Sequence, residues 1–264
     1  MTAPKNRGAK RAKILTVILA LLVMLLVTLV GAAEFIARSA VPPIAEKAVR
    51  EALDLEPGHP VEFTPQGFVL AQLVTGRLNN AEVTVPDAPI IDGLDATLTV
   101  HAGSIALDPL AAPLENTTVR LGLSPEQFNT FVTSVSDGML DSAKTDGTKF
   151  TVAREFEAFG ASVPVTGSVT IEVVDGGLRF TPTEFSAAGI KASPADVQKL
   201  LGSILGPDAI ELSQPIDLCV RDRLPRGTRI MSISPQPGGE VSITLDIADK
   251  ITTDAKLREF GTCE

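Results

Sequence analysis

The sequence contains no tryptophan and no tyrosine, whereas phenylalanine occurs 11 times among its 264 residues. Carbohydrate-binding sites commonly stack sugar rings on tryptophan or tyrosine, so these absences argue against a carbohydrate-binding module. The aromatic residues that remain carry no polar atom in the side chain. Buried apolar contact is therefore the main means of recognition that the composition offers.

Histidine is scarce as well, and the common catalytic motifs are missing. His59 and His101 are the two histidines, and neither stands at metal-ligand spacing from a cysteine or from the other histidine. No G-x-S-x-G elbow, Walker loop or dinucleotide-binding fingerprint occurs. We therefore expect no metal, no cofactor and no enzymatic activity. A hydrolase with two carboxylates stays open as an alternative, because the fold and not the sequence spacing brings such a pair together.

Charge is absent from the 20 residues between Ile14 and Ala33, which follow a basic head at residues 1–13. A helix of this length rises about 30 Å, the thickness of the hydrocarbon core of a bilayer. We expect a transmembrane anchor with a cytoplasmic N-terminus, because basic flanks stay on that side. A cleaved signal peptide is the alternative, with small residues at positions 31–33 for cleavage. Either segment places residues 34–264 on the extracytoplasmic, periplasmic face of the cell membrane.

Acidic residues dominate this exported part. The chain has 23 basic and 32 acidic residues, and the first 33 positions hold five of the basic and none of the acidic ones. Residues 34–264 therefore carry 18 basic against 32 acidic residues. This balance argues against a nucleic-acid partner, which requires clustered lysine and arginine. Attachment to the cytoplasmic membrane must then rest on the N-terminal segment or on apolar contacts.

The chain has two cysteines, Cys219 and Cys263. Cys219 lies in the stretch IDLCVRDRLPRG, beside three arginines that would lower the pKa of a thiol. In an oxidising, exported setting, two cysteines in one domain most often form a disulfide. Here it would close a loop of roughly 45 residues, worth about 4 kcal/mol. We expect this disulfide, with two free thiols or a catalytic thiolate as the alternatives.

Residues 43–107 show a helical pattern followed by strand patterns. Pro43 to Leu53 places apolar residues on one side of a helix that begins at the proline. Ala81–Val85 and Ala96–Val100 alternate apolar and polar residues. Turn-forming residues separate these strands at positions 86–89 and 92–93. The pattern predicts an antiparallel sheet with one covered face.

A helix followed by a hairpin occurs twice, which indicates an internal repeat. Ser124 and Ser193 are both N-cap residues followed by a proline at the first helical position. Paired glycines at 176–177 and 238–239 mark the two hairpins. Apolar residues keep one spacing in the two helices: Phe128, Phe131, Val132 and Val135, and Val197, Leu200, Leu201 and Ile204. We predict an α+β domain in which amphipathic helices pack against a strongly curved antiparallel sheet.

The order of these elements resembles that of the LmeA-like phospholipid-binding proteins of actinobacteria. The resemblance covers Ala37 to Ile247 and rests on the leader, the early helix, the two capped helices and the closing hairpin after Leu224-Pro225-Arg226-Gly227. It implies a tubular lipid-binding fold, in which a curved sheet wraps a long helix and leaves an apolar cavity. It also implies a non-enzymatic protein that binds or transfers phospholipids such as phosphatidylinositol and supports the synthesis of envelope glycolipids of the lipomannan type.

Candidate site residues follow from this resemblance. Because burial gains about 0.8 kcal/mol per methylene, the apolar helix faces are candidate walls for acyl chains: Phe128, Phe131, Val132, Val135, Val197, Leu200, Leu201 and Ile204. The candidate contacts for a lipid headgroup are Arg221, Arg223, Arg226 and Arg229. Both sets have an alternative, since apolar faces also fill ordinary cores and arginines also line solvated rims. A structural or scaffolding envelope domain with a packed core is the alternative function.

Overall fold

The computed structural model describes residues 7–91, 93–108, 112–136, 138–158, 161–187, 190–193, 196 and 214–263. These residues form the helices α1 (Arg7–Ala52), α2 (Val69–Thr75), α3 (Pro125–Val135) and α4 (Ala255–Arg258). They also form the strands β1 (Glu62–Thr64), β2 (Arg77–Ile91), β3 (Leu94–Ala106), β4 (Glu115–Leu123), β5 (Ser142–Thr145), β6 (Phe150–Ala158), β7 (Ala161–Val174), β8 (Gly177–Ala187), β9 (Ile190–Ala192), β10 (Ile216–Leu218), β11 (Thr228–Pro235) and β12 (Val241–Ile247).

Helix α1 is continuous through the apolar N-terminal segment and beyond it. Pro42 and Pro43 lie inside the helix, so the prediction that a separate helix begins at Pro43 is wrong. A proline removes one backbone hydrogen bond and normally kinks or ends a helix. Here the side chains on both sides of the prolines face the domain at intervals of four residues and hold the helix against it: Ala37, Val41, Ala45 and Val49.

The first part of α1 is long and apolar enough to span a bilayer. An 18-residue window within Leu21–Ala52 has a mean hydropathy of 2.1 and is 6% buried. The large side chains from Leu21 to Val30 are exposed. A signal sequence has the same character, so the length and composition of this helix suit both an anchor and a signal.

The domain contains two antiparallel sheets where a single curved sheet was predicted, and within the described residues neither sheet closes. The first sheet has the order β1-β2-β3-β4-β12-β11. The second has the order β10-β8-β7-β6-β5, and β9 also pairs with β8. The predicted hairpins β7–β8 and β11–β12 are both present, but they belong to different sheets. The closing hairpin returns to the first sheet, where β12 pairs with β4 from Val241 opposite Leu123 to Ile247 opposite Thr117.

The first sheet has one apolar and one polar face, as the alternation of its residues predicts. The apolar face carries one row of paired residues across four strands: Val85, Leu98, Leu121 and Ile243. The polar face carries the neighbouring row: Thr84, Thr99, Arg120 and Thr244. The prediction of a turn at residues 86–89 is wrong. This segment lies inside β2, where the pairing with β3 shifts in register between Val85 and Ala88.

The main core lies between the two sheets and includes α3. Phe128 is 1% exposed and packs against Phe150 of β6, with ring centroids 5.4 Å apart. The predicted capping box begins the helix, since the Gln127 amide donates to Ser124 Oγ and the Ser124 amide donates to Gln127 Oε1. At the second cap, the Asp196 amide donates to Ser193 Oγ over 3.3 Å. The helix predicted after that cap lies outside the described residues, so the internal repeat stays a prediction.

Candidate functional site

An apolar cavity of about 300 Å³ lies on the apolar face of the first sheet, between α3 and the chain that follows Cys219. Its volume is at the lower end of the roughly 300–1,000 Å³ usual for ligand pockets. Arg223 is the charged residue of its wall. The wall is formed by five strands, α3, the segment after Cys219 and the C-terminal tail: Ile90, Leu94, Ala96, Leu121, Leu123, Phe131, Val135, Val220, Arg223, Leu224, Pro225, Ile230, Ile243, Leu245 and Phe260.

The predicted wall residues of α3 divide between the core and this cavity. Phe128 and Val132 are 1% and 0% exposed and belong to the packed core. Phe131 and Val135 line the cavity, and Val135, at 8% exposed, also belongs to the edge of the core. Because an α-helix turns about 100° per residue, the second pair points about 60° away from the first. One side of α3 therefore fills the core, and the adjacent side forms the cavity wall.

The second predicted set of wall residues lies outside the described part of the chain: Val197, Leu200, Leu201 and Ile204. The strand residues of the wall were not predicted from the sequence. A signal for them was present, since Leu121 with Leu123 and Ile243 with Leu245 alternate along their strands. Phe260 has no such signal, because the tail brings it to the cavity.

A cleft of about 660 Å³ with several charged side chains in its wall adjoins the cavity. Three of the four predicted arginines line it, together with two threonines and one carboxylate: Arg221, Arg226, Arg229, Thr228, Thr262 and Asp175. Leu224, Pro225 and Ile230 line both the cleft and the cavity, so the two spaces share a wall. The fourth arginine, Arg223, lies in the wall of the cavity itself. The fold thus gathers all four arginines around one side of the apolar cavity.

Arg221 has a structural role in this cleft. Its guanidinium donates to the carbonyl oxygen of Asp175 in the turn between β7 and β8. The same guanidinium lies so close to Gly176 that a Cβ added there would come 2.8 Å from Arg221 Nε. Gly176 also has a φ of 76°, which favours glycine. Arg221 therefore covers the hairpin turn and ties it to the segment after Cys219.

The other two cleft arginines are exposed, and each lies beside a carboxylate: Arg226 forms an ion pair of 3.9 Å with Glu259, and Arg229 pairs with Asp246. Arg226 Nε donates to the carbonyl oxygen of Phe260 over 3.2 Å. Arg229 Nη2 donates to Asp246 Oδ2 over 2.9 Å. A guanidinium has five N–H donors in a fixed fork, so each arginine keeps donors for a further acceptor such as a phosphate oxygen.

The C-terminal tail is fastened beside both spaces. The structure contains the predicted disulfide between Cys219 and Cys263, whose Cα atoms are 5.8 Å apart. Farther back along the tail, the Gly261 amide donates to the Leu224 carbonyl over 3.0 Å. These contacts hold Phe260 at the cavity and Thr262 at the cleft. The arginine-flanked cysteine is therefore an element of the architecture.

Two carboxylates, Asp175 and Asp217, line a neighbouring cleft. Arg179 donates to both oxygens of Asp217, over 2.6 and 2.7 Å. This hydrogen-bonded pairing with Arg179 lowers the pKa of Asp217 below its ordinary value, against the opposing effect of desolvation. A carboxyl with a lowered pKa is poorly suited to act as a general acid near neutral pH, so this pair gives little support to a two-carboxylate hydrolase.

Comparison with known proteins relates the chain to a family. The sequence model of the LmeA-like phospholipid-binding family matches residues 32–244. The matched range includes α3 and the cavity residues of the first sheet as far as Ile243. No curated protein and no solved structure matches the chain.

Proposed function

Because the chain belongs to the LmeA-like phospholipid-binding family, we propose that it is a non-enzymatic phospholipid-binding protein whose apolar cavity holds an acyl chain. The cavity is the observation that carries the proposal. Apart from Arg223, its wall consists of aliphatic, proline and phenylalanine side chains. A hydrocarbon chain suits such a wall, because it brings no polar group that would need a hydrogen-bond partner.

The volume of the cavity suits part of one acyl chain. If a methylene takes about the 30 Å³ that a water molecule occupies in the liquid, then about 300 Å³ holds roughly ten methylenes. At about 0.8 kcal/mol each, their burial contributes about 8 kcal/mol. This supports lipid binding over the alternative of a scaffolding domain with a fully packed core.

The cleft next to the cavity is the proposed site of the headgroup. Arg226 and Arg229 line it, and the wall that it shares with the cavity would bring a phosphate close to the start of a buried acyl chain. Guanidinium groups bind phosphate through paired, charge-assisted hydrogen bonds. The proposed ligand is therefore an anionic phospholipid of the phosphatidylinositol type, with Arg223 at the cavity and Arg221 holding the turn.

The proposed setting is the extracytoplasmic face of the cell membrane in an actinobacterium. The basic head and the apolar part of α1 support an anchor with a cytoplasmic N-terminus. The family match supports phospholipid binding. A tubular lipid-binding fold and a role in the synthesis of lipomannan-type glycolipids are proposed from the resemblance alone. A cleaved signal would leave the same domain on the same side.

A variant with a larger side chain in the cavity wall tests this function. Val135→Phe adds a ring to the cavity wall, whereas Ser134→Phe makes the same addition at an exposed position one residue away. Native mass spectrometry of the purified full chain should show one bound phospholipid for the wild type and for Ser134→Phe. Val135→Phe should lose it. A wild-type chain without lipid, or equal occupancy in all three proteins, would overturn the proposal.

A further inference from the structure

Helix α2 presents an uncharged face on the surface of the domain. Residues 66–76 contain no charged residue, in a chain of which 21% is charged. Phe68, directly before the helix, is 46% exposed, and Val74 near its end is 82% exposed. Ala71 and Thr75 are the other exposed residues of the helix. Large apolar side chains that are exposed on a short surface helix indicate a contact surface, because only a partner would remove them from water.

Contacts on the buried side of α2 fix the orientation of this helix. Val69 is fully buried, and Gln72 is 9% exposed. The Gln72 side chain donates from Nε2 to the Gln66 carbonyl over 2.6 Å and accepts at Oε1 from the Asn79 amide over 2.7 Å. These contacts hold one side of the helix against the domain. The orientation of α2 therefore keeps Phe68 and Val74 on the exposed side.

The position of α2 along α1 identifies the partner. Glu34 is the first residue after the apolar segment, and its carboxylate accepts from the amides of Val69 and Leu70 over 2.9 and 2.7 Å. The exposed apolar surface of α1 continues past this point, since Phe35 is 75% and Ile36 is 64% exposed. Helix α2 therefore docks at the level at which α1 leaves the proposed bilayer.

We propose that the exposed face of α2 rests on the bilayer, with Phe68 and Val74 inserted at the boundary between headgroups and acyl chains. If α1 spans the bilayer, lipid surrounds it at the position where α2 docks. The acidic balance of residues 34–264 argues against general electrostatic adhesion to anionic lipid and favours an apolar contact as the means of attachment. The proposal rests on the proposed membrane span of α1 and does not require that the cavity bind lipid.

The absence of tryptophan supplies a direct probe of this contact. Phe68→Trp places a single indole at the proposed contact. The control is Met231→Trp, which places an indole at a 55% exposed residue of β11. Strand β11 lies at the opposite edge of the first sheet from β1. Each full chain is reconstituted into phosphatidylcholine vesicles with acyl chains either plain or brominated near the glycerol. A side chain about 5–10 Å into the interface reaches these bromines.

The Phe68→Trp emission should be blue-shifted and should be quenched several-fold more by the brominated vesicles than that of Met231→Trp. Val74→Trp, at a mostly exposed position that leaves packing intact, should behave like Phe68→Trp. If both emissions are quenched no more than the control while the chain floats with the vesicles, the surface contact is wrong. If the chain does not float, the membrane span is wrong and the contact falls with it, whatever the cavity binds.

Discussion

Phe128 and Phe131 lie one helical turn apart on α3, yet Phe128 packs against Phe150 in the core while Phe131 lines the apolar cavity. Both belong to one apolar stripe in the sequence. The structure divides this stripe into a part that stabilises the fold and a part that faces the proposed ligand.

Truncation of these two rings should separate stability from binding. Phe128→Ala should lower the free energy of unfolding by about 3–5 kcal/mol, because it removes a fully buried ring. Phe131→Ala should cost less, because its ring already faces a cavity, but it should weaken lipid binding more. Urea denaturation followed by far-ultraviolet circular dichroism measures the first effect. Equal losses of stability in the two variants would contradict this division of α3.

The cleft arginines should set the preference for anionic lipid. Arg226→Gln and Arg229→Gln should each weaken binding of phosphatidylinositol by up to roughly fivefold, since a contact of an exposed charge is worth about 0.2–1 kcal/mol. Binding of phosphatidylcholine should change less. Arg120→Gln is the matched control, because Arg120 is exposed in the row that lies on the polar face of the first sheet. A comparable loss in that control would show that the cleft does not bind the headgroup.

Removal of the disulfide should destabilise the domain and loosen the tail. Cys219 and Cys263 are 44 positions apart, and a loop of this length is worth about 4 kcal/mol on the chain-entropy model. The double variant Cys219→Ser with Cys263→Ser should unfold at a lower urea concentration. Amide exchange should rise at Gly261, whose amide donates to Leu224 in the cavity wall. Unchanged exchange would show that the remaining contacts suffice to hold the tail.

Asp146 should make stability depend on pH in the acid range. The Lys149 amide, together with the hydroxyl and amide of Thr148, holds the pKa of Asp146 at about 2, below its ordinary 3.8. A lowered folded-state pKa means that the stabilisation is complete above the unfolded value and is lost as pH falls through about 2. The advantage of the wild type over Asp146→Ala should therefore shrink from pH 5 to pH 2, measured by urea denaturation. An advantage that stays constant over this range would contradict the assignment.

Local patterns predicted much of the fold. The capping box at Ser124, the hairpin glycines and the apolar and polar faces around Val85 and Thr84 all follow from short-range rules, and the structure contains each of them. Two local predictions failed where tertiary contacts or a bulge overrode them. No separate helix begins at Pro43, because α1 runs through both prolines. Residues 86–89 lie inside β2 at a shift in register and do not turn the chain.

Contacts between residues far apart in the chain could not be predicted from the sequence. Nothing in the residues of β11 and β12 indicates that this hairpin returns to β4, more than 100 positions earlier in the chain. The cavity depends on that return, because Ile243 and Leu245 form part of its wall. The apolar stripe of α3 also gave no means of assigning Phe131 to a cavity and Phe128 to a core, since both look alike along a helix.

Crosslinking within a bilayer tests the central claim most directly. A phosphatidylinositol that carries a photoactivatable group on one acyl chain is incorporated into vesicles with the full chain, irradiated and mapped by mass spectrometry of peptides. Labels should appear on α3 near Phe131 and Val135 and on β12 near Ile243, and Val135→Phe should remove them while labelling of α1 continues. Labels confined to α1, with none on α3 or β12, would contradict the assignment of this cavity to an acyl chain.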